Sequence, residues 1–114
     1  MRNVLVATIL LVTVSAAHAQ SSAGAIVSTY RLMAAEKLCP KYRVNLILLE
    51  GELGRFGLSM EEALSEKYAS VRDKTIGEVK EIVAKTDGKS DFCNLMWDSF
   101  GEGGKVPGLL KRRD

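Results

Sequence analysis

Apolar positions open the chain as a single block. In "MRNVLVATILLVTVSAAHAQ" one basic residue, Arg2, precedes an apolar run from Val4 to about Val14, and small residues lead to Ala17-His18-Ala19. That order is the three-part pattern of a secretory signal peptide, with A-H-A as its cleavage site and Gln20 as the expected first mature residue. The run falls short of the roughly 20 apolar residues that a membrane span needs. Residues 1–19 are therefore expected to be removed, and stable membrane insertion is not expected.

After Gln20 the pattern turns periodic. Between Ser22 and Leu38, Ile26, Tyr30, Met33 and Lys37 recur at four, three and four, with Val27, Ala34 and Leu38 beside them, which predicts an amphipathic helix. Pro40 interrupts it, because the residue before a proline is driven out of helical geometry. Proline also suits the first position of a helix, so a second helix is expected from Pro40. Tyr42, Leu46, Leu49, Leu53 and Phe56 would form its stripe, widened by Val44, Ile47 and Leu48, making it the most buried element. Gly51, Gly54 and Gly57 weaken its end, and Gly57 is the expected capping glycine.

"LSMEEA" is the clearest start signal. Ser59 with Glu62 three residues later reads as a capping box opening a long third helix, whose apolar face is Leu64, Tyr68, Val71, Thr75, Val79 and Ile82. "TDGKS" ends it. Ser90 or Asp91 is the expected cap of a short fourth helix lined by Phe92, Met96 and Phe100, with Trp97 alongside. Gly101, Gly103 and Gly104 then release residues 105–114, expected to be a flexible basic tail. No strand pattern competes, so the predicted fold is all-α: a small four-helix up-and-down domain over residues 20–104.

Composition changes this picture in two ways. The chain's only histidine, His18, lies in the expected signal peptide, and the formal charge of the mature part falls from +2 to +1 once Arg2 is removed. So small a net charge is no footprint of a nucleic-acid partner. The 95 residues from Gln20 to Asp114 also lie near the size at which an apolar core alone gives a marginal fold.

Cys39 and Cys93 are the only cysteines. In an exported chain two lone cysteines are expected to oxidise to a disulfide, here tying the corner after the first helix to the fourth. A nucleophilic cysteine would need a base, usually histidine, and a zinc site would need three or four ligands. Neither requirement is met. Gly88-Lys89-Ser90 imitates the end of a P-loop, but Val83 stands where its first glycine belongs, and neither "GELGRFG" nor "GEGGK" fits a dinucleotide fingerprint. Glu61, Glu62 and Glu66 are explained by the dipole of the helix they begin. No catalytic residue, cofactor or metal is expected.

What remains is binding. Candidate contact residues are Lys41 and Arg43 beside the expected disulfide, Gly54 and Arg55 at the glycine-rich helix end, and the basic cluster Lys111, Arg112 and Arg113. With its signal peptide, small helical mature domain and long-range pair Cys39 and Cys93, the chain is similar in layout to the acid-activated periplasmic chaperones of enteric bacteria. That resemblance implies a non-catalytic periplasmic protein that binds exposed apolar surface of other proteins, as a monomer or weak homodimer. A second expectation is an inhibitor or immunity protein for an exported enzyme, with Gly51 to Gly57 as its contact loop.

Overall fold

The computed structural model describes residues 22–113. The expected signal peptide and its cleavage site lie outside them.

The described residues fold into a mostly helical domain carrying a small two-stranded ribbon. Helix α1 covers residues 22–38. It leads through Cys39 and Pro40 into strand β1 (Tyr42–Val44), then α2 (Leu46–Gly54), the short α3 (Met60–Ala63), a 3₁₀ turn (Glu66–Tyr68), α4 (Ala69–Val83), α5 (Gly88–Phe100) and strand β2 (Leu110–Arg112). The strands pair antiparallel, with Tyr42 opposite Arg112, Arg43 opposite Lys111 and Val44 opposite Leu110. Asn45 N–H donates to the Leu109 carbonyl, and Arg113 N–H to the Lys41 carbonyl, so the pairing runs one residue past each end of the strands.

This ribbon corrects three expectations. The domain is not all-α, the second helix does not begin at Pro40, and residues 105–114 are not a loose tail along their whole length. Tyr42 and Val44 are buried and Arg43 is exposed, which is the period of a strand rather than a helix. Three residues are too few for that alternation to register in sequence, and the partner lies some 70 residues away. Helix α2 instead begins after Asn45, whose side-chain oxygen accepts from Leu48 N–H. Leu109 and Leu110 enter the core and anchor the C-terminal strand.

The long third helix is also two helices. Ser59 caps α3 as expected, accepting from Glu62 N–H at 3.0 Å. Ser65 then takes an extended backbone while its hydroxyl donates to the Glu62 carbonyl, the local competition by which serine ends helices. The Ala63 carbonyl, near this break, accepts from the buried Tyr30 hydroxyl of α1. Helix α5 starts three to four residues earlier than expected, after Asp87, whose φ of 59° is left-handed. Its apolar face of Phe92, Met96 and Phe100 is buried as the spacing predicts. Gly57, at φ +73°, closes the winding after α2: Leu58 N–H reaches the Leu53 carbonyl and Gly57 N–H the Gly54 carbonyl, the paired bonds of a Schellman end.

The core gathers all of these elements. Ile26, Leu32, Leu49, Leu53, Phe92, Met96 and Leu110 are among its fully buried side chains. The disulfide Cys39–Cys93 joins the end of α1 to α5 across 54 residues of chain, as the cysteine count predicts.

Helix α1 sets up the rest. Its buried side is Ile26, Thr29 and Tyr30 in the first half but Leu32 and Ala35 in the second. At 100° per residue these sets lie on roughly opposite sides of the helix. The expected stripe of Ile26, Tyr30, Met33 and Lys37 is therefore covered only where it begins.

Candidate functional site

The uncovered half of the α1 stripe forms the floor of an open groove of about 710 Å³. Tyr30, Met33, Ala34 and Leu38 come from α1, Met60 from α3, Ile76 and Val79 from α4, and Val44 and Leu46 from the β1–α2 junction. Lys37, Lys80, Glu36 and Arg113 stand among them. Met33 remains 41% exposed and Leu46 56% exposed. Beyond Leu46, the helix turns Ile47 outward at 83% exposure, with the exposed Leu48 following. Single exposed aliphatic residues are ordinary on a protein surface, whereas a contiguous set around a concavity marks an interaction surface.

The expectation that α2 would be the most buried element is thus overturned. Only Leu49 and Leu53 of that helix are buried. Leu46 to Leu49 are four consecutive aliphatic residues, and successive residues point 100° apart, so no single face can cover them all. That run signals in sequence that part of it must stay uncovered, and its first residue, Leu46, is the part that lines the groove. Reading it as one wide buried stripe hid it.

The residues singled out as contacts divide into two groups. Lys41, Arg43, Lys111, Arg112 and Arg113, drawn from distant parts of the chain, come together on the ribbon. Gly54 and Arg55 do not join them. They stand at the far end of α2, where Arg55 pairs with Glu52 at 3.2 Å. On the ribbon, Arg113 Nε donates to the Tyr42 carbonyl at 2.7 Å and its terminal nitrogen to the Glu36 carbonyl at 3.2 Å. The second bond satisfies a carbonyl in the last turn of α1, where a cation also suits the helix dipole. The Glu36 carboxylate accepts from Val44 N–H at 2.7 Å. Together these bonds hold the ribbon as one wall of the groove.

Trp97 supports the ribbon from α5. Tyr42 stacks on its ring with centroids 4.8 Å apart, and the Arg112 guanidinium lies 4.8 Å from the same ring. Each contact contributes on the order of 0.5–1.5 kcal/mol.

A second concavity of about 560 Å³ lies beside the disulfide, with Lys41, Lys85, Lys89 and Asp87 around it. Its lysines are exposed, and the sulfurs that line it are bonded to each other. Two groups have displaced pKa values. The bond that Lys67 donates to the Glu62 carboxylate raises the Lys67 pKa, and the bonds that Arg72 donates to Asp73 and Glu66 raise that of Arg72. Both keep their charge, Lys67 is exposed and Arg72 half-buried, and neither lines the groove. Among the described residues, no three His, Cys, Asp or Glu side chains are placed to hold a metal ion, and no helix is long and apolar enough to cross a membrane.

Compared with protein-family models, curated proteins and solved structures, the chain matches none of them. What the groove offers is read from its own residues: an aliphatic contact surface with Lys37, Lys80, Arg113 and Glu36 on its border.

Proposed function

We propose that the protein is exported and acts as a non-catalytic binding protein, holding an apolar segment of another protein in the groove between α1, α2 and α4. The observation that carries this reading is the uncovered apolar set Met33, Leu46 and Ile76 around a concavity of about 710 Å³, with the exposed Ile47 next to Leu46 in the chain. Leaving a leucine or isoleucine side chain in water forgoes about 1.5–3 kcal/mol of burial free energy, which an apolar partner segment would recover. The signal-peptide pattern at residues 1–19 supports an envelope location, where unfolded exported chains present such segments.

The test is suppression of aggregation of an unrelated unfolded protein, measured by light scattering from pH 3 to pH 7. The purified protein should suppress it, and a Leu46→Asp/Ile47→Asp variant, changed only at exposed positions, should lose at least half of that effect while melting at the same temperature. No suppression at any pH, or a variant as effective as the natural sequence, would sink the reading.

A further inference from the structure

The ribbon bordering the groove is charged in one sense only. Residues 41–44 and 110–113 read "KYRV" and "LKRR", with five basic side chains and no acidic one. The register sets Arg43 opposite Lys111, and the bond from Arg113 N–H to the Lys41 carbonyl puts another basic pair face to face. Like charges directly opposite on a ribbon are destabilising. The fold engages two of the five, Arg112 over the Trp97 ring and Arg113 at the Tyr42 and Glu36 carbonyls, whereas Arg43 and Lys111 have no ion-pair partner among the described residues. The ion pairs among the described residues are Arg31–Glu78, Arg55–Glu52, Lys67–Glu62 and Arg72 with Glu66 and Asp73, all on the helices and their connections.

The same ribbon supplies Val44 and Arg113 to the groove wall, and Lys37 and Lys80 extend the positive border along α1 and α4. Among the described residues on that border the carboxylate is Glu36, which accepts from Val44 N–H. We propose that the groove selects a protein segment in which an apolar row is flanked by Asp or Glu, the acidic residues lying on the Arg43–Lys111 ribbon. This rests on the protein-binding reading above and adds the partner's chemistry. A concave groove fits a ridge of side chains such as the apolar row of a helix, not the plane of a bilayer.

The probes are three fluorescent peptides sharing one helical apolar row and flanked by four Glu, four Gln or four Lys, titrated into the purified protein at low and high salt. The Glu-flanked peptide should bind about tenfold tighter than the Gln-flanked one, and the Lys-flanked one weaker still, with the differences shrinking at high salt. An Arg43→Glu/Lys111→Glu variant should reverse the order. Arg43→Gln/Lys111→Gln, which only removes charge, should narrow the spread between the three peptides, and melting curves check that both variants fold. Leu46→Asp should weaken all three peptides alike.

Three equal affinities, still lowered by Leu46→Asp, would overturn the charge selection while leaving the groove reading intact. No binding by any peptide would overturn both. Sedimentation with anionic phosphatidylglycerol vesicles, without preference for the Glu-flanked peptide, would assign the ribbon to a lipid surface instead and reject the inference.

Discussion

Gly88 sits where α4 hands over to α5, buried, and a β-carbon there would collide with the Ile82 carbonyl. Backbone cannot give way as a flexible side chain can, so Gly88→Ala should lower stability by about 1–3 kcal/mol in urea titration. Gly77, inside α4, has nothing within 4 Å of that position, and Gly77→Ala should raise stability by about 0.5–1 kcal/mol in the same measurement. Opposite signs from one substitution type would separate packing from helix propensity, and equal signs would contradict the placement of one glycine. In sequence both residues read as local weaknesses or turn formers. What distinguishes them is a carbonyl six residues away, brought close only by the turn. Gly101 is the same kind of case, since its missing β-carbon leaves room for the Trp97 ring that Tyr42 and Arg112 contact.

Among the elements, α5 was the most legible. Phe92, Met96 and Phe100 repeat at four and four and face one way into the core. The Ser59 cap and the Gly57 helix end were legible for a similar reason: each is decided within four or five residues of chain. The ribbon was not. Its two three-residue strands owe their existence to each other, to Trp97 beneath them and to the Glu36 and Arg113 bonds, all long-range. The groove was half legible. The α1 stripe through Met33 and the leucines of α2 were recognised as apolar, but which of them the fold leaves uncovered depends on where α4 and the ribbon pack. If the ribbon is an integral part of the core, Leu110→Ala should cost about 2–5 kcal/mol and alter Trp97 fluorescence as Arg112 leaves the ring. An unchanged denaturation midpoint would mean that the C-terminal strand is dispensable.

For the molecule as a whole, the disulfide is the largest single device. Closing a loop across 54 residues stabilises by about 4 kcal/mol in the chain-entropy model, a large fraction of what a domain this small possesses. Reduction, or Cys39→Ala with Cys93→Ala, should therefore bring the unfolding midpoint down sharply, and a midpoint shifted by less than about 1 kcal/mol equivalent would argue against that account. The position of the bridge also shapes how the fold is reached. Without it, the strands that must meet are separated by roughly 70 residues, from Tyr42 to Arg112. With it, the path runs three residues from Tyr42 to Cys39, across the sulfurs, and nineteen from Cys93 to Arg112, roughly 22 in all. Loop-closure entropy makes that shorter search cheaper by about 1 kcal/mol, enough for the oxidised unfolded chain to zip the ribbon, and so complete the groove wall, about fivefold faster than the reduced chain in stopped-flow refolding. Oxidation would then act as a timing step: the chain completes the groove wall quickly only after its thiols have been joined.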